Sequence, residues 1–163
     1  MDTHIAYDIG AKEVAIHLAR ILNCPLVMSD FSRLLIDPNR GVDDPTLVMK
    51  ISDDKIIEGN KNIHNFREST EKNKRIEDYY NSYHKKVSKL VNQKLSNEQF
   101  PAIISIHSFT PFWKNIKRNI DIGILWDNDE RLPNIFFNYF KENHQELVIG
   151  NNQPYTGRLK NDS

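Results

Sequence analysis

The chain has 163 residues, of which 39% are hydrophobic and 27% are charged, a composition typical of one globular domain. Its 22 basic residues balance 22 acidic ones, and this neutrality argues against nucleic acid or a membrane surface as the main partner. No apolar run approaches the ~20 residues that span a bilayer, no signal peptide pattern begins the chain, and the single Cys24 cannot form an internal disulfide. We therefore predict a cytoplasmic location.

The first half of the chain contains helical periodicity and short apolar runs. Residues 10–23 have apolar side chains on one helical face, and we interpret Asp8 as a cap for this helix. Strands are predicted at residues 26–28 and 34–36, and a polar connection at 43–60. The spacing of apolar residues over 62–95 then indicates mostly one long helix.

The second half alternates strands and helices more regularly. Buried strands are predicted at residues 102–106 and 122–126, followed by a helix over 132–142 and a last strand over 147–149. Pro133 lies near the first turn of that helix, where proline is tolerated. Residues 150–157 form a loop rich in turn residues. This alternation predicts an α/β fold.

Polar side chains directly follow two of the predicted strands, at the edge where α/β sheets bind ligands. His107 follows the strand over 102–106, and spacing alone fits either a ligand or a histidine bonded to a backbone carbonyl. Asn39 and Arg40 follow the strand over 34–36, where they could form a turn or an anion site. Arg33 could instead pair with a carboxylate such as Asp37.

Other candidate residues have simpler interpretations. Tyr155 could reach a substrate or anchor its own loop. Asp127 and Asp129 could bind a metal, but Asp-Asn-Asp is also a common loop composition, which we favour. The histidines outside the candidate site have no ligand partner at i, i+4, and we predict surface positions for them: His17, His64, His84 and His144.

Five segments, in order, give the chain a resemblance to the N-formylglutamate amidohydrolase family, whose fold is similar to those of zinc carboxypeptidases and aspartoacylase. The segments are HIAYDIGA at residues 4–11, FSRLLIDPNR at 31–40, IHSFTP at 106–111, GILWDND at 123–129 and NQPYTGRLK at 152–160. The resemblance covers nearly the whole chain. It implies one domain over residues 1–163, with a three-layer mixed sheet flanked by helices.

The resemblance also implies a reaction and a set of site residues. Family members hydrolyse N-formyl-L-glutamate to formate and L-glutamate, a step of histidine degradation, at a zinc or other divalent metal ion. By this resemblance His107 is a metal ligand, and Asn39 and Arg40 grip the substrate carboxylate. Arg33, Tyr155 and His4 are the further candidates for binding a small N-acyl amino acid.

The chain departs from the family pattern at both ends. The first family strand, with its early metal ligands, has no counterpart, and neither has the C-terminal helix and strand that carry the general-base glutamate. We therefore assign no catalytic residue and expect a truncated, incomplete fold. Three hypotheses remain open: an amidohydrolase completed by a separate chain or improvised ligands, a catalytically dead remnant, and a non-enzymatic module that binds a dicarboxylate or a protein.

Overall fold

The structure is a computed structural model that describes residues 6–52, 55–63, 70–113 and 115–157. For residue 113 it describes the backbone alone. The chain divides into two compact units, an N-terminal unit that runs to Ser108 and a C-terminal unit that begins at Phe109. Among the described residues, no helix has the length and apolar character needed to cross a membrane.

The first helix, α1 (Ala11–Ile21), confirms the helical periodicity over residues 10–23. It begins after Gly10, whose φ of 79° lies in the left-handed region that glycine adopts without strain. The prediction that Asp8 caps this helix is wrong. Its backbone carbonyl accepts from the Ala11 N–H, while its side chain bonds elsewhere in the unit.

The predicted long helix is present as three consecutive segments. α2 (Thr70–Arg75) leads into a π-helical turn (Ile76–Tyr80), which continues as α3 (Asn81–Ser96). The part of the prediction over residues 64–69 lies outside the described residues. A π-helical turn inside a longer helix is rare and is often found at functional sites.

A small core of buried apolar side chains lies between this helix and the loops before it. The core consists of Ile36, Leu47, Val48, Ile63 and Tyr80, with Phe31 and Ile76 packed against it. The predicted strand at 34–36 is wrong, because Leu34 and Leu35 lie in a turn and Ile36 has no regular secondary structure. Their apolar run reflects burial of Ile36 in the core, and the N–H of Asp37 donates to the Leu47 carbonyl at 2.8 Å. The short hairpin β1 (Ile51–Ser52) and β2 (Lys55–Ile56) follows.

The predicted strands at 26–28 and 102–106 are also wrong. Both segments lack regular secondary structure, and neither has a strand partner among the residues that the structure describes. Large apolar side chains in both are exposed rather than buried, including Met28, Ile103 and Ile104. A strand requires a neighbouring strand for its backbone groups, and the sequence pattern alone cannot supply one.

The C-terminal unit contains the later elements in the predicted order, but the strand predicted over 122–126 ends at Ile124 and the last strand lies at 149–151 rather than 147–149. β3 (Phe112–Trp113) and β4 (Ile116–Lys117) form an antiparallel hairpin, and β5 (Ile122–Ile124) pairs in parallel with β6 (Ile149–Asn151). α4 (Arg131–Asn143) connects the parallel strands, with Pro133 buried in its first turn. A parallel pair needs such a crossover helix, so this βαβ arrangement follows from the predicted order of elements.

The chain is therefore an α/β protein, as predicted. Its described strands form three two-stranded sheets, β1 with β2, β3 with β4, and β5 with β6. The single layered sheet implied by the resemblance stays a prediction.

Candidate active site

The central contact of the candidate site joins His107 to Asp8. Nδ1 of His107 lies 2.7 Å from Oδ2 of Asp8, across 99 positions of the sequence. Because an ionised carboxylate only accepts, Nδ1 must carry the proton. In the neutral form of the ring, Nε2 then has a free lone pair and is the nitrogen able to bind a metal ion or take a proton. The imidazole side chain is half exposed.

Arg33 connects this pair to a second carboxylate. One of its terminal nitrogens lies 3.4 Å from Oδ1 of Asp8, and the other lies 2.8 Å from Oδ2 of Asp37. Burial alone would raise the pKa of Asp8, but the hydrogen bond and charge of His107, with the charge of Arg33, outweigh it and lower the pKa. Asp8 is therefore held as a carboxylate that orients the imidazole.

Asp37 organises the backbone of the predicted Asn39–Arg40 pair. Its side chain is almost fully buried, and Oδ1 accepts from the Asn39 N–H at 3.0 Å. Its carbonyl accepts from the Arg40 N–H at 3.2 Å, which closes the turn. The turn interpretation of this segment is thus correct, and a turn fixed in this way can also present the two side chains to a ligand.

A buried network of polar side chains bonds the backbone next to this turn. Asn60 is 2% exposed and donates from Nδ2 to the carbonyls of Leu34, at 2.8 Å, and Met49, at 2.7 Å. Arg75 is 8% exposed and donates to Oδ1 of Asn60 at 2.7 Å and to the Leu35 carbonyl at 2.9 Å. Buried polar groups satisfied in this way restrict the backbone to one conformation.

Two aromatic side chains of the long helix hold the far end of the turn. The hydroxyl of Tyr80 donates to the Arg40 carbonyl at 2.9 Å, and Nε2 of His84 lies 3.0 Å from the Pro38 carbonyl. Their rings are in contact at a centroid distance of 4.2 Å, with their planes tilted by 44°. The prediction of a surface position for His84 is therefore wrong, because its part-buried ring is engaged in the site. Tyr80 closes the π-helical turn, which links that irregularity to the candidate site.

Two further predicted site residues are His4 and Tyr155. His4 is outside the described residues. Tyr155 belongs to the C-terminal unit, where its hydroxyl accepts from Arg118 at 3.0 Å and its ring lies 5.0 Å from the same guanidinium. Arg118 also donates to the Thr110 carbonyl at 3.2 Å. These contacts favour a loop-anchoring role for Tyr155.

Sequence reasoning missed Asp8, Arg75, Tyr80 and His84 as members of this site. The position of Asp8 before a helix suggested a capping role instead. Its partner His107 is distant in sequence, so the sequence gives no signal of their contact. The spacing of the long helix assigned Tyr80 to helix packing and His84 to the surface, and Arg75 was one of many charged residues between the apolar positions. Asp129, by contrast, binds the N–H and guanidinium of Arg131, which confirms the loop interpretation.

The described residues do not complete a metal centre. A catalytic zinc ion usually has three protein ligands and an open position. Within residues 6–52, 55–63, 70–113 and 115–157, no three His, Cys, Asp or Glu side chains are grouped to hold a metal ion. The Asp8 carboxylate orients the imidazole of His107. A carboxylate bonded to the second ring nitrogen is typical of a histidine that ligates a metal ion.

Comparisons with known proteins agree with this picture. The family model described as N-formylglutamate amidohydrolase matches residues 1–162, so the chain belongs to that family. A crystal structure of a gene product from Agrobacterium tumefaciens is similar, with 31% sequence identity and a TM-score of 0.87. The match covers 95% of this chain but 59% of that one, so this chain spans about three-fifths of its relative. No curated protein matches the chain.

Proposed function

We propose that this member of the N-formylglutamate amidohydrolase family carries the substrate-binding turn and one metal-ligating histidine of an enzyme that hydrolyses N-formyl-L-glutamate to formate and L-glutamate. The observation that carries the proposal is the Asp8–His107 hydrogen bond of 2.7 Å. Such a carboxylate–histidine pair directs Nε2 towards a metal ion or a proton. By the family relation, the protein would act in histidine degradation in the cytoplasm.

The Asn39–Arg40 turn is the proposed site for a substrate carboxylate. An arginine fork can bind a carboxylate through two parallel hydrogen bonds, and an asparagine amide can add a third. The network around Arg75 and Tyr80 supports this role, because a preorganised turn loses little entropy when a ligand binds. Arg33 is proposed to contribute positive charge next to the turn, since it already balances Asp8 and Asp37.

Zinc or another divalent metal is the proposed cofactor, with His107 as one ligand. Such an ion would polarise the scissile amide and activate water. The described residues alone do not meet the ligand requirement, so no catalytic step is derived through the metal. His4 is a proposed pocket residue at a position outside the described part of the chain. Tyr155 stays a proposed substrate contact only by the resemblance, because its observed contacts with Arg118 favour the loop-anchoring role.

The proposed architecture is one domain over residues 1–163 with the carboxypeptidase-like three-layer fold. The neighbour of known structure supports one continuous domain, because 95% of this chain matches it at a TM-score of 0.87. No general-base glutamate is assigned in these residues.

A non-enzymatic module that binds small dicarboxylates is the alternative function. The observation that favours it is that hydrogen bonds hold the Asn39–Arg40 turn in place. Among the described residues, by contrast, no three metal-ligating side chains are grouped. Both functions predict binding of a glutamate-type ligand at Arg40. They differ in whether formate is released.

The test combines metal analysis and hydrolysis on one sample of zinc-reloaded protein. The enzyme hypothesis predicts stoichiometric zinc, release of formate from N-formylglutamate, and loss of both in His107→Ala. The binding hypothesis predicts that calorimetry detects a heat of N-formylglutamate binding without hydrolysis. Arg40→Ala should abolish this heat of binding. If affinity is unchanged in Arg40→Ala, the role assigned to the turn is wrong.

A further inference from the structure

We propose that a cleft of the N-terminal unit, here called the helix cleft, binds a free amino acid with an apolar side chain. The cleft has a volume of about 440 Å³ and is lined by residues of α1, of the loop over 27–31 and of the long helix over 78–86. Clefts that bind small molecules have volumes of roughly 300–1,000 Å³ and combine apolar walls with a few polar groups. The helix cleft has both features.

Charged side chains of both signs line the helix cleft. Lys12 on α1 and Lys86 on α3 contribute two ammonium groups, and Asp30 and Asp78 contribute two carboxylates. Among the residues that the structure describes, none of these four side chains forms a hydrogen bond or an ion pair. Opposite charges therefore line one cleft without pairing with each other, and a ligand that carries both charges can contact each kind.

The uncharged part of the lining includes apolar and aromatic side chains. Val27 and Phe31 are part-buried there, and Met28 is 45% exposed. Tyr83 adds a part-buried phenol whose hydroxyl has no hydrogen bond with another described residue. Burial raises the pKa of Tyr83, so the phenol stays protonated at neutral pH and can donate a hydrogen bond to a carboxylate.

These groups match the three parts of an amino acid zwitterion. A lysine ammonium and the Tyr83 hydroxyl suit the carboxylate of the ligand, and an aspartate carboxylate suits its ammonium group. An apolar ligand side chain would contact Met28 and Phe31, which removes apolar surface from water. Because the two lysines balance the two aspartates, the charge of the lining favours a neutral zwitterion over an anion or a cation.

The helix cleft is separate from the proposed substrate-binding turn. Tyr83 and Lys86 of the long helix line the cleft, whereas Tyr80 and His84 contact the backbone carbonyls of the turn. No residue that we assign to the candidate active site lines the cleft. Binding of an amino acid in the helix cleft therefore does not depend on the proposed function.

Isothermal titration calorimetry of the full 163-residue chain with L-phenylalanine tests the proposal. We expect saturable binding of one molecule per chain. Phenethylamine lacks the carboxylate and 3-phenylpropionate lacks the ammonium group, so each should bind about tenfold more weakly or worse. Glycine keeps both charges but has no apolar side chain, and its binding should be weaker by about the same factor.

Two variants locate the binding in the helix cleft. Asp78→Asn and Lys86→Met should each weaken L-phenylalanine binding about tenfold or more, because each removes one charge from the lining. Glu77→Gln and Lys89→Met are the matched controls, since both residues are exposed on the same long helix but do not line the cleft. Their affinity for L-phenylalanine should equal that of the unmodified chain.

Four outcomes would overturn the helix cleft as an amino acid site. The first is a titration without saturable binding, and the second is equal affinity for L-phenylalanine and its two single-charge analogues. The third is an equal loss of affinity in the cleft variants and their controls. The fourth is loss of L-phenylalanine binding in Arg40→Ala, or its competition with N-formylglutamate, because either result would place the ligand at the substrate-binding turn.

Discussion

Oδ2 of Asp8 and Nδ1 of His107 are 2.7 Å apart, although 99 positions separate the two residues in the chain. The contact joins the start of the N-terminal unit to its last residues. It fixes the proton on Nδ1 of the imidazole, so Nε2 is the nitrogen that can bind a metal ion or accept a proton. Asp8 also contacts Arg33, which in turn bonds Asp37, so this carboxylate is connected to the Asn39–Arg40 turn.

Asp8→Asn should destabilise the protein by about 1.5–3 kcal/mol, because charged hydrogen bonds to His107 and Arg33 are lost and the replacement amide fits only one of them. Urea unfolding followed by circular dichroism measures the change. Asp30→Asn is the control, because Asp30 is exposed and has no hydrogen bond within the described residues. Equal stability of the two variants would show that the Asp8 contacts contribute nothing in solution.

Arg75→Met should cost about 3 kcal/mol or more in unfolding free energy. Arg75 makes hydrogen bonds to Asn60, to the Leu35 carbonyl and to Glu71, and its loss leaves buried acceptors without a donor. Lys74→Met removes the same charge from the exposed neighbouring position and should change stability by no more than about 0.5 kcal/mol. A loss at Arg75 as small as that at Lys74 would contradict the structural role of the network.

The sequence predicts elements well where the determinants are local. The periodicity of α1 and α3 and the β5–α4–β6 order were predicted from spacing alone. The strands predicted at 26–28, 34–36 and 102–106 are absent. An apolar run indicates that its side chains suit burial or strand pairing, but whether a strand forms depends on a neighbouring segment that is distant in sequence. Ile36 shows this clearly, since its side chain is fully buried although the residue has no regular secondary structure.

The candidate site was predicted in part for the same reason. Arg33, Asn39 and Arg40 are close in sequence, and Asp37 bonds both the Arg33 guanidinium and the Asn39 N–H, so their motif located them together. The supporting residues Arg75 and Tyr80 come from a helix 40 positions later, and only the fold reveals the contacts with Leu35 and Arg40.

Asp129 provides a pH-dependent test of the C-terminal unit. The side-chain hydrogen bond from Arg131 lowers its pKa from 3.8 to about 2. A depressed carboxyl pKa contributes stability that is present above pH 3.8 and is lost as the pH falls through about 2. Carboxyl NMR titration should therefore show Arg131→Gln raising the Asp129 pKa towards 3.8. Lys141→Gln removes an equal charge from the last turn of α4 and should leave this pKa unchanged. An equal shift in both variants would attribute the effect to net charge rather than to the hydrogen bond.

Tyr80→Phe tests whether the long helix positions the substrate-binding turn. The hydroxyl of Tyr80 donates to the Arg40 carbonyl at 2.9 Å, and its removal should cost about 1 kcal/mol of stability. It should also weaken N-formylglutamate binding severalfold in calorimetry, because the backbone that carries the Arg40 guanidinium is no longer held. Tyr79→Phe is the matched control: the adjacent hydroxyl has no hydrogen bond among the described residues, and its ring contact with Phe31 survives the change. If Tyr80→Phe loses stability while ligand affinity stays at the level of Tyr79→Phe, the hydroxyl supports the fold without positioning Arg40. Weakened affinity in Tyr80→Phe alone would tie the π-helical turn directly to ligand recognition, since Tyr80 is the residue at which that turn ends.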